Sequence, residues 1–199
     1  MLAIFKREFK SYFQNVIGWL FVAALLAVYG LYFYVYNLKN GYPYISYDLN
    51  GIGFIMMIAV PILTMRSLSD EKKTKTDQLM LTSPVSVGKI VAGKYFAMAA
   101  VYTIDIALFA LSPLVLSIYG KVALSEAYVA LFGYWLYGLS CIAVGLFISS
   151  ISESVIISAI LTFAALFLSY MMQSITGLIS SSGNLLTKVL NCFDLYTPF

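Results

Sequence analysis

Few residues in this chain are equipped for chemistry. Histidine is absent from the 199 residues, which excludes imidazole acid–base catalysis and histidine metal ligation. Cys141 lies inside an apolar run and Cys192 near the far end of the chain, so neither a Cys-x-x-Cys site nor a disulfide framework is expected. A phosphate-binding candidate occurs at Gly88–Lys94 (GKIVAGK), which fits the first part of a P-loop. The next residue is Tyr95, where the motif needs a Ser or Thr hydroxyl for Mg²⁺, and the segment opens an apolar run with no strand before it. The chain is therefore read as no enzyme, with no catalytic residue, metal site or cofactor of its own.

Two features place charge where it demands explanation. Asp105 stands alone in the middle of an apolar run, where an ionised carboxylate costs about 2.5–3.5 kcal/mol on insertion scales. It should face the bundle interior or a wet cavity, with Tyr102 a turn away. Either the pair marks the translocation path or a subunit seam, or Asp105 is a structural acid, protonated or bonded to a hydroxyl. The second feature is the stretch 70–84 (DEKKTKTDQLMLTSP) between two apolar runs. Ser67 and Asp70 form a helix-start signal, Asp70 and Glu71 suit the positive end of the macrodipole, and Lys72, Lys73 and Lys75 follow. Thr76, Leu79 and Met80 share a side at helical spacing, and Pro84 ends the element. The pattern is that of a short two-faced helix, although charge alone favours an ordinary solvated loop.

The elements that must position these residues are membrane helices. Hydrophobic residues make up 61% of the chain and charged ones 11%, against roughly 25% charged in a soluble domain. The fold class is all-α, a polytopic bundle in a single transmembrane domain. Residues 1–15 (MLAIFKREFKSYFQN) read as an interfacial helix, with Leu2, Phe5, Phe9, Tyr12 and Phe13 at helical spacing and Lys6, Arg7, Lys10 and Gln14 between them. Apolar spans are expected at 16–36, 47–66, 90–119, 127–152 and 154–175, each reaching or exceeding the roughly 20 residues a bilayer requires. Asn37–Asn50 reads as a polar loop, and Ser152 with Glu153 as the tight turn of a hairpin. Small residues spaced by four, Cys141, Gly145 and Ser149, and again Ser158 and Thr162, predict close helix contacts.

With the N-terminus in the cytoplasm, Lys6, Arg7, Lys10, Arg66, Lys72, Lys73, Lys75, Lys89 and Lys94 fall inside. Lys39, Lys121 and Lys188 fall outside. That bias sets the orientation and puts residues 70–84 in the cytoplasm. Residues 177–199 then form an extracytoplasmic segment, and a sixth span is expected beyond Phe199. No basic tract interleaved with aromatics points to nucleic acid.

The run Glu71–Ala97 (EKKTKTDQLMLTSPVSVGKIVAGKYFA) resembles the cytoplasmic loop of type-2 ABC exporter permeases. That family shows an acidic–basic pair, then Gly-Thr-x-Glu-Leu-Leu, a small residue, Pro, and a Gly-Lys opening the third span. Glu71–Lys72, Thr76, Leu79–Leu81, Pro84 and Gly93–Lys94 match, whereas Lys75 replaces the glycine and Gln78 the glutamate. Gly145–Ile151 (GLFISSI), turning into the fifth span, agrees as well. The lysine-rich variant is most similar to the branch containing gliding-motility-associated permeases. The resemblance implies a six-span permease in a bacterial plasma membrane, paired with a second permease subunit (the same or a different chain) in membrane lipid. It also implies a separate ATP-binding subunit holding ATP and Mg²⁺. The loop would be its coupling helix, with Asp70, Glu71, Lys72, Lys73, Thr76, Gln78, Leu79, Leu81 and Pro84 as contact residues. A secondary transporter or channel, or a non-transporting scaffold, remains the alternative; an ATP-binding cassette protein in the neighbouring reading frame would favour the permease reading over both.

Overall fold

The computed structural model describes residues 2–73, 86–119 and 122–179. Every regular element in these residues is helical. α1 (Leu2–Gln14) precedes α2 (Val16–Phe33), which runs on as a π-helical turn over Tyr34–Lys39. Then follow α3 (Ser46–Thr64), the short α4 (Ser69–Lys73), α5 (Val87–Phe109), α6 (Ser112–Tyr119), α7 (Leu124–Ile151) and α8 (Val155–Ile179). Four helical stretches among the described residues are long and apolar enough to cross a bilayer: Val16–Lys39, Ser46–Thr64, Val87–Ile118 and Leu124–Ile151. α8 adds the apolar run Val155–Met171. The chain is a helical membrane bundle.

α3 is its centre. It packs on α2, α7 and α8, while α5 closes the other side against α2 and α7. Leu25 of α2, Ile52, Met56, Val60 and Leu63 of α3, Met98 and Val101 of α5 and Ile142 of α7 meet in a core with essentially no exposure. The small residues of α7 explain how the helices approach. Cys141, Gly145 and Ser149 are all buried, and a Cβ on Gly145 would stand 2.6 Å from Thr64 Oγ1 of α3. Ser158 and Thr162 on α8 are fully buried too.

α1 is amphipathic, as its pattern predicts. Phe9, Tyr12 and Phe13 pack against the core, Phe5 stacks on Phe9 at 5.9 Å, and Phe13 meets Trp19 edge-on at 5.3 Å. The helix lies against α5 and the start of α2. The turn into α2 needs glycine, because a Cβ on Gly18 would sit 2.5 Å from the Tyr12 carbonyl oxygen.

Two element boundaries differ from the sequence pattern. The expected polar loop Asn37–Asn50 is shorter: the π-turn carries helix to Lys39 and α3 begins at Ser46. Asn37 lies on that π-turn and is buried, bonded to Asp48 in the first turn of α3, so polar character there reports an internal contact rather than exposure. The third expected span breaks at Ala110–Leu111 between α5 and α6. Pro113, lacking an N–H, cannot continue the ladder, and Ser112 Oγ turns back to the Phe109 carbonyl at 2.7 Å.

Candidate functional site

The segment joining α3 to α4 is fastened from three sides. Ser149 Oγ, near the end of α7, accepts hydrogen bonds from the Leu68 and Ser69 amides at 3.2 and 3.3 Å. It also lies 3.4 Å from Ser69 Oγ, which itself donates back to the Met65 carbonyl. Lys72 Nζ donates to the Ser150 carbonyl. From α5, Lys94 Nζ donates to the Ser67 carbonyl at 2.9 Å. From α1, Glu8 Oε1 pairs with Lys94 Nζ at 3.3 Å, and Tyr12 donates to the Leu63 carbonyl at 3.4 Å. Lys94 is only 2% exposed, so this is a largely desolvated ion pair.

These bonds have a local logic. The carbonyls and amides around Met65–Ser69 fall between two helices, where their partners must come from elsewhere. Serines at 149 and 150 and a lysine long enough to reach across supply them. Position 149 also completes the small-residue line of α7, so one residue serves close packing and backbone capping together.

Of the nine residues expected on a coupling helix, Asp70, Glu71, Lys72 and Lys73 fall in α4. Thr76, Gln78, Leu79, Leu81 and Pro84 lie outside the described residues, as does most of 177–199. Asp70 is exposed beside the fastened segment. Gly88–Lys94, the P-loop-like string, forms the opening turns of α5.

Tyr102 and Asp105 lie together on the buried face of α5. The Tyr102 hydroxyl donates to the Tyr134 carbonyl of α7 at 2.7 Å, and its ring fills the space a Cβ on Gly138 would need, 2.3 Å from Cζ. Asp105 is fully buried, and neither carboxyl oxygen has a hydrogen-bond partner among the described residues.

Sequence reasoning passed over two contributors. Glu8 is the sole acid before Asp48, sitting on the same face as Phe5 and Tyr12, and that isolation was the available signal. Asp48 is fully buried at the other end of α3. Asn37 Nδ2 donates to its Oδ2, while Oδ1 of each residue has no partner among the described residues.

A family model described as ABC-2 family transporter protein matches residues 30–199. The chain belongs to the ABC-2 transporter family. It is a multi-pass membrane protein and the permease type of component in such a transporter. The match reaches the family and does not extend to the gliding-motility branch. Comparisons with curated proteins and with solved structures return no match.

Proposed function

We propose that this ABC-2 permease is the membrane-spanning subunit of an ATP-driven exporter, with ATP hydrolysed in a separate ATP-binding subunit. Two permease subunits pair in the membrane and two ATPase subunits bind beneath them. The N-terminus and residues 70–84 face the cytoplasm of a bacterial cell, in keeping with the excess of Lys and Arg on that side. The observation that carries this reading, beyond the family match, is the fastening of α4. Through Ser149 and Lys72 it is bonded to α7, through Ser67 to Lys94 of α5, and it follows α3 directly. A push delivered on residues 70–84 would therefore reach three spans at once. Asp70, Glu71, Lys72, Lys73, Thr76, Gln78, Leu79, Leu81 and Pro84 form the contact surface, while Tyr102 and Asp105 mark the translocation path or the seam between the two permease subunits.

The test replaces Leu79 and Leu81 with Asp in the complete permease co-expressed with its ATPase. The variant should insert normally yet recover less ATPase on pull-down, or hydrolyse ATP without moving substrate. Full recovery together with full ATP-dependent transport would refute the assignment. Accumulation of substrate in inside-out vesicles on adding ATP would establish the direction.

A further inference from the structure

A polar cavity of about 220 Å³ lies between α1, the end of α3 and the start of α5. Its walls include Arg7, Glu8, Arg66, Ser67, Asp70 and Lys94. Three cations against two carboxylates leave it with a positive excess. Glu8 is already matched by Lys94 at 3.3 Å, and Arg7 stands 4.0 Å from the same carboxyl oxygen. Arg66 is exposed and makes no ion pair among the described residues.

The second observation is Ser67. It is only 5% exposed, and its hydroxyl has no hydrogen-bond partner among the described residues. A buried hydroxyl left unpaired is a costly arrangement that a bound acceptor relieves. Ser67 lines the cavity, and once a rotation about χ1 turns its covered hydroxyl inward, it and the two guanidinium groups together match the acceptor oxygens of a phosphate. The volume is below the roughly 300 Å³ at which pockets for drug-sized molecules begin, and suits a headgroup.

The surroundings select the source of that phosphate. The cavity sits where an amphipathic helix meets the end of one span and the beginning of another, which is the water–hydrocarbon boundary. Phe5, Phe9 and Phe13 line the apolar face of that helix, and Trp19, 59% exposed with its indole N–H on the Phe13 carbonyl at 2.9 Å, is an interfacial anchor at its end. We propose that this cavity binds the phosphate of an anionic phospholipid headgroup from the leaflet on the N-terminal side. Ser67 Oγ donates to a phosphate oxygen, and Arg66 and Arg7 close over it from the aqueous side. The lipid would then pin α1 to the junction of α3 and α4.

The complete permease, purified in detergent, is titrated with dioleoylphosphatidylglycerol, with dioleoylphosphatidylcholine, and with inorganic phosphate. Retained lipid is counted by native mass spectrometry and the Tm is followed. Phosphatidylglycerol should be retained in preference and should raise the Tm. Arg7→Gln/Arg66→Gln removes two exposed cations, so its Tm in lipid-free detergent should stay near wild type. Its retention of phosphatidylglycerol should fall roughly tenfold or more, the weight of two cations at a lipid surface. Ser67→Ala should weaken retention without changing charge. Equal retention of the two lipids, or unchanged retention by both variants, would overturn the proposal. So would inorganic phosphate raising the Tm as far as the lipid does, since that assigns the cavity to a soluble ligand. The measurement needs neither ATP nor the ATPase, so its failure is separable from failure of the transport reading.

Discussion

The two ends of α3 solve the same problem in opposite ways. Each buries an ionisable side chain beside a chain junction. At the α4 end, Lys94 meets a carboxylate and a carbonyl, Glu8 at 3.3 Å and the Ser67 oxygen at 2.9 Å. At the other end, Asp48 meets a neutral amide on one oxygen and no donor among the described residues on the other. The nearby Tyr29 hydroxyl is engaged with Ser112 instead. The α4 end is thus held by charge, with elements α1, α3, α5 and α7 all contributing. The far end is held by one amide on Asp48, by the Tyr29–Ser112 hydroxyl pair and by stacked aromatics such as Tyr29 on Phe109, centroids 4.0 Å apart. On the proposed coupling role, the α4 junction would benefit from bonds to several helices; a junction that only turns the chain does not need them.

If charge holds the α4 end, removing the carboxylate is the most damaging simple change in either region. Glu8→Ala takes the acidic partner from a lysine that is 2% exposed, and breaking a desolvated pair from one side typically costs about 3–5 kcal/mol. Lys94 keeps the Ser67 carbonyl, which favours the lower figure, about 3 kcal/mol. Thermal unfolding in detergent should show a large drop in Tm. Glu8→Leu combined with Lys94→Met should recover most of it, because a matched apolar pair is often no worse than a buried ion pair. A Glu8→Ala protein as stable as wild type would remove the contrast between the two ends.

Next in size is the α3–α7 approach beneath the same junction. A Cβ on Gly145 would meet Thr64 Oγ1 at 2.6 Å and Cγ2 at 2.9 Å. Thr64 is β-branched, fully buried and bonded to the Val60 carbonyl at 3.0 Å, so it has little freedom to swing away. Gly145→Ala should push the helices apart at a cost of about 2 kcal/mol, typical of overpacking. Because Ser149 lies one turn further on, amide exchange at Leu68 and Ser69 should accelerate as well. Exchange unchanged at those two amides would separate packing from the fastening of α4.

Much of this bundle is readable in the sequence. The long apolar runs, the amphipathic N-terminal stretch and the Cys141–Gly145–Ser149 line each rest on a local period, and local periods survive without knowledge of the fold. What escaped is long-range or has no period. Glu8 and Lys94 are distant in sequence, and each alone looks like an interfacial charge. Asn37 looks like a loop residue because a π-turn carries no pattern that would extend the helix to include it. The break before Ser112 lies inside the expected span 90–119: Pro113 is its cause, but nothing local says that Ser112 turns its hydroxyl back to Phe109.

At the far end the expected effects shrink. Asn37→Ala leaves Asp48 without its amide donor and should cost about 1–2 kcal/mol, the usual penalty for stranding a buried acceptor. The corresponding fall in Tm should be clearly smaller than that of Glu8→Ala. A larger fall would mean that the far end carries more of the bundle's stability than this one amide bond suggests.

The smallest effect belongs to Asp48→Asn. The substitution keeps size and planarity, and the side-chain amide can offer its oxygen to Asn37 Nδ2 much as the carboxyl does. Its own N–H groups could then face the Asn37 Oδ1 that has no partner among the described residues. If Asp48 serves only to join α2 and α3, an acceptor without a partner is exchanged for a donor that Asn37 Oδ1 can use, and the change in stability should stay within about 1 kcal/mol. Lys94→Gln at the opposite end offers the matched control, since it also removes one charge while keeping a polar head, yet leaves Glu8 with only the exposed Arg7 at 4.0 Å. Measured side by side, Lys94→Gln should lower the Tm substantially and Asp48→Asn should barely move it. Equal losses would mean that the carboxylate of Asp48 has an electrostatic partner as important as Glu8 is to Lys94, and the two ends of α3 would then be alike.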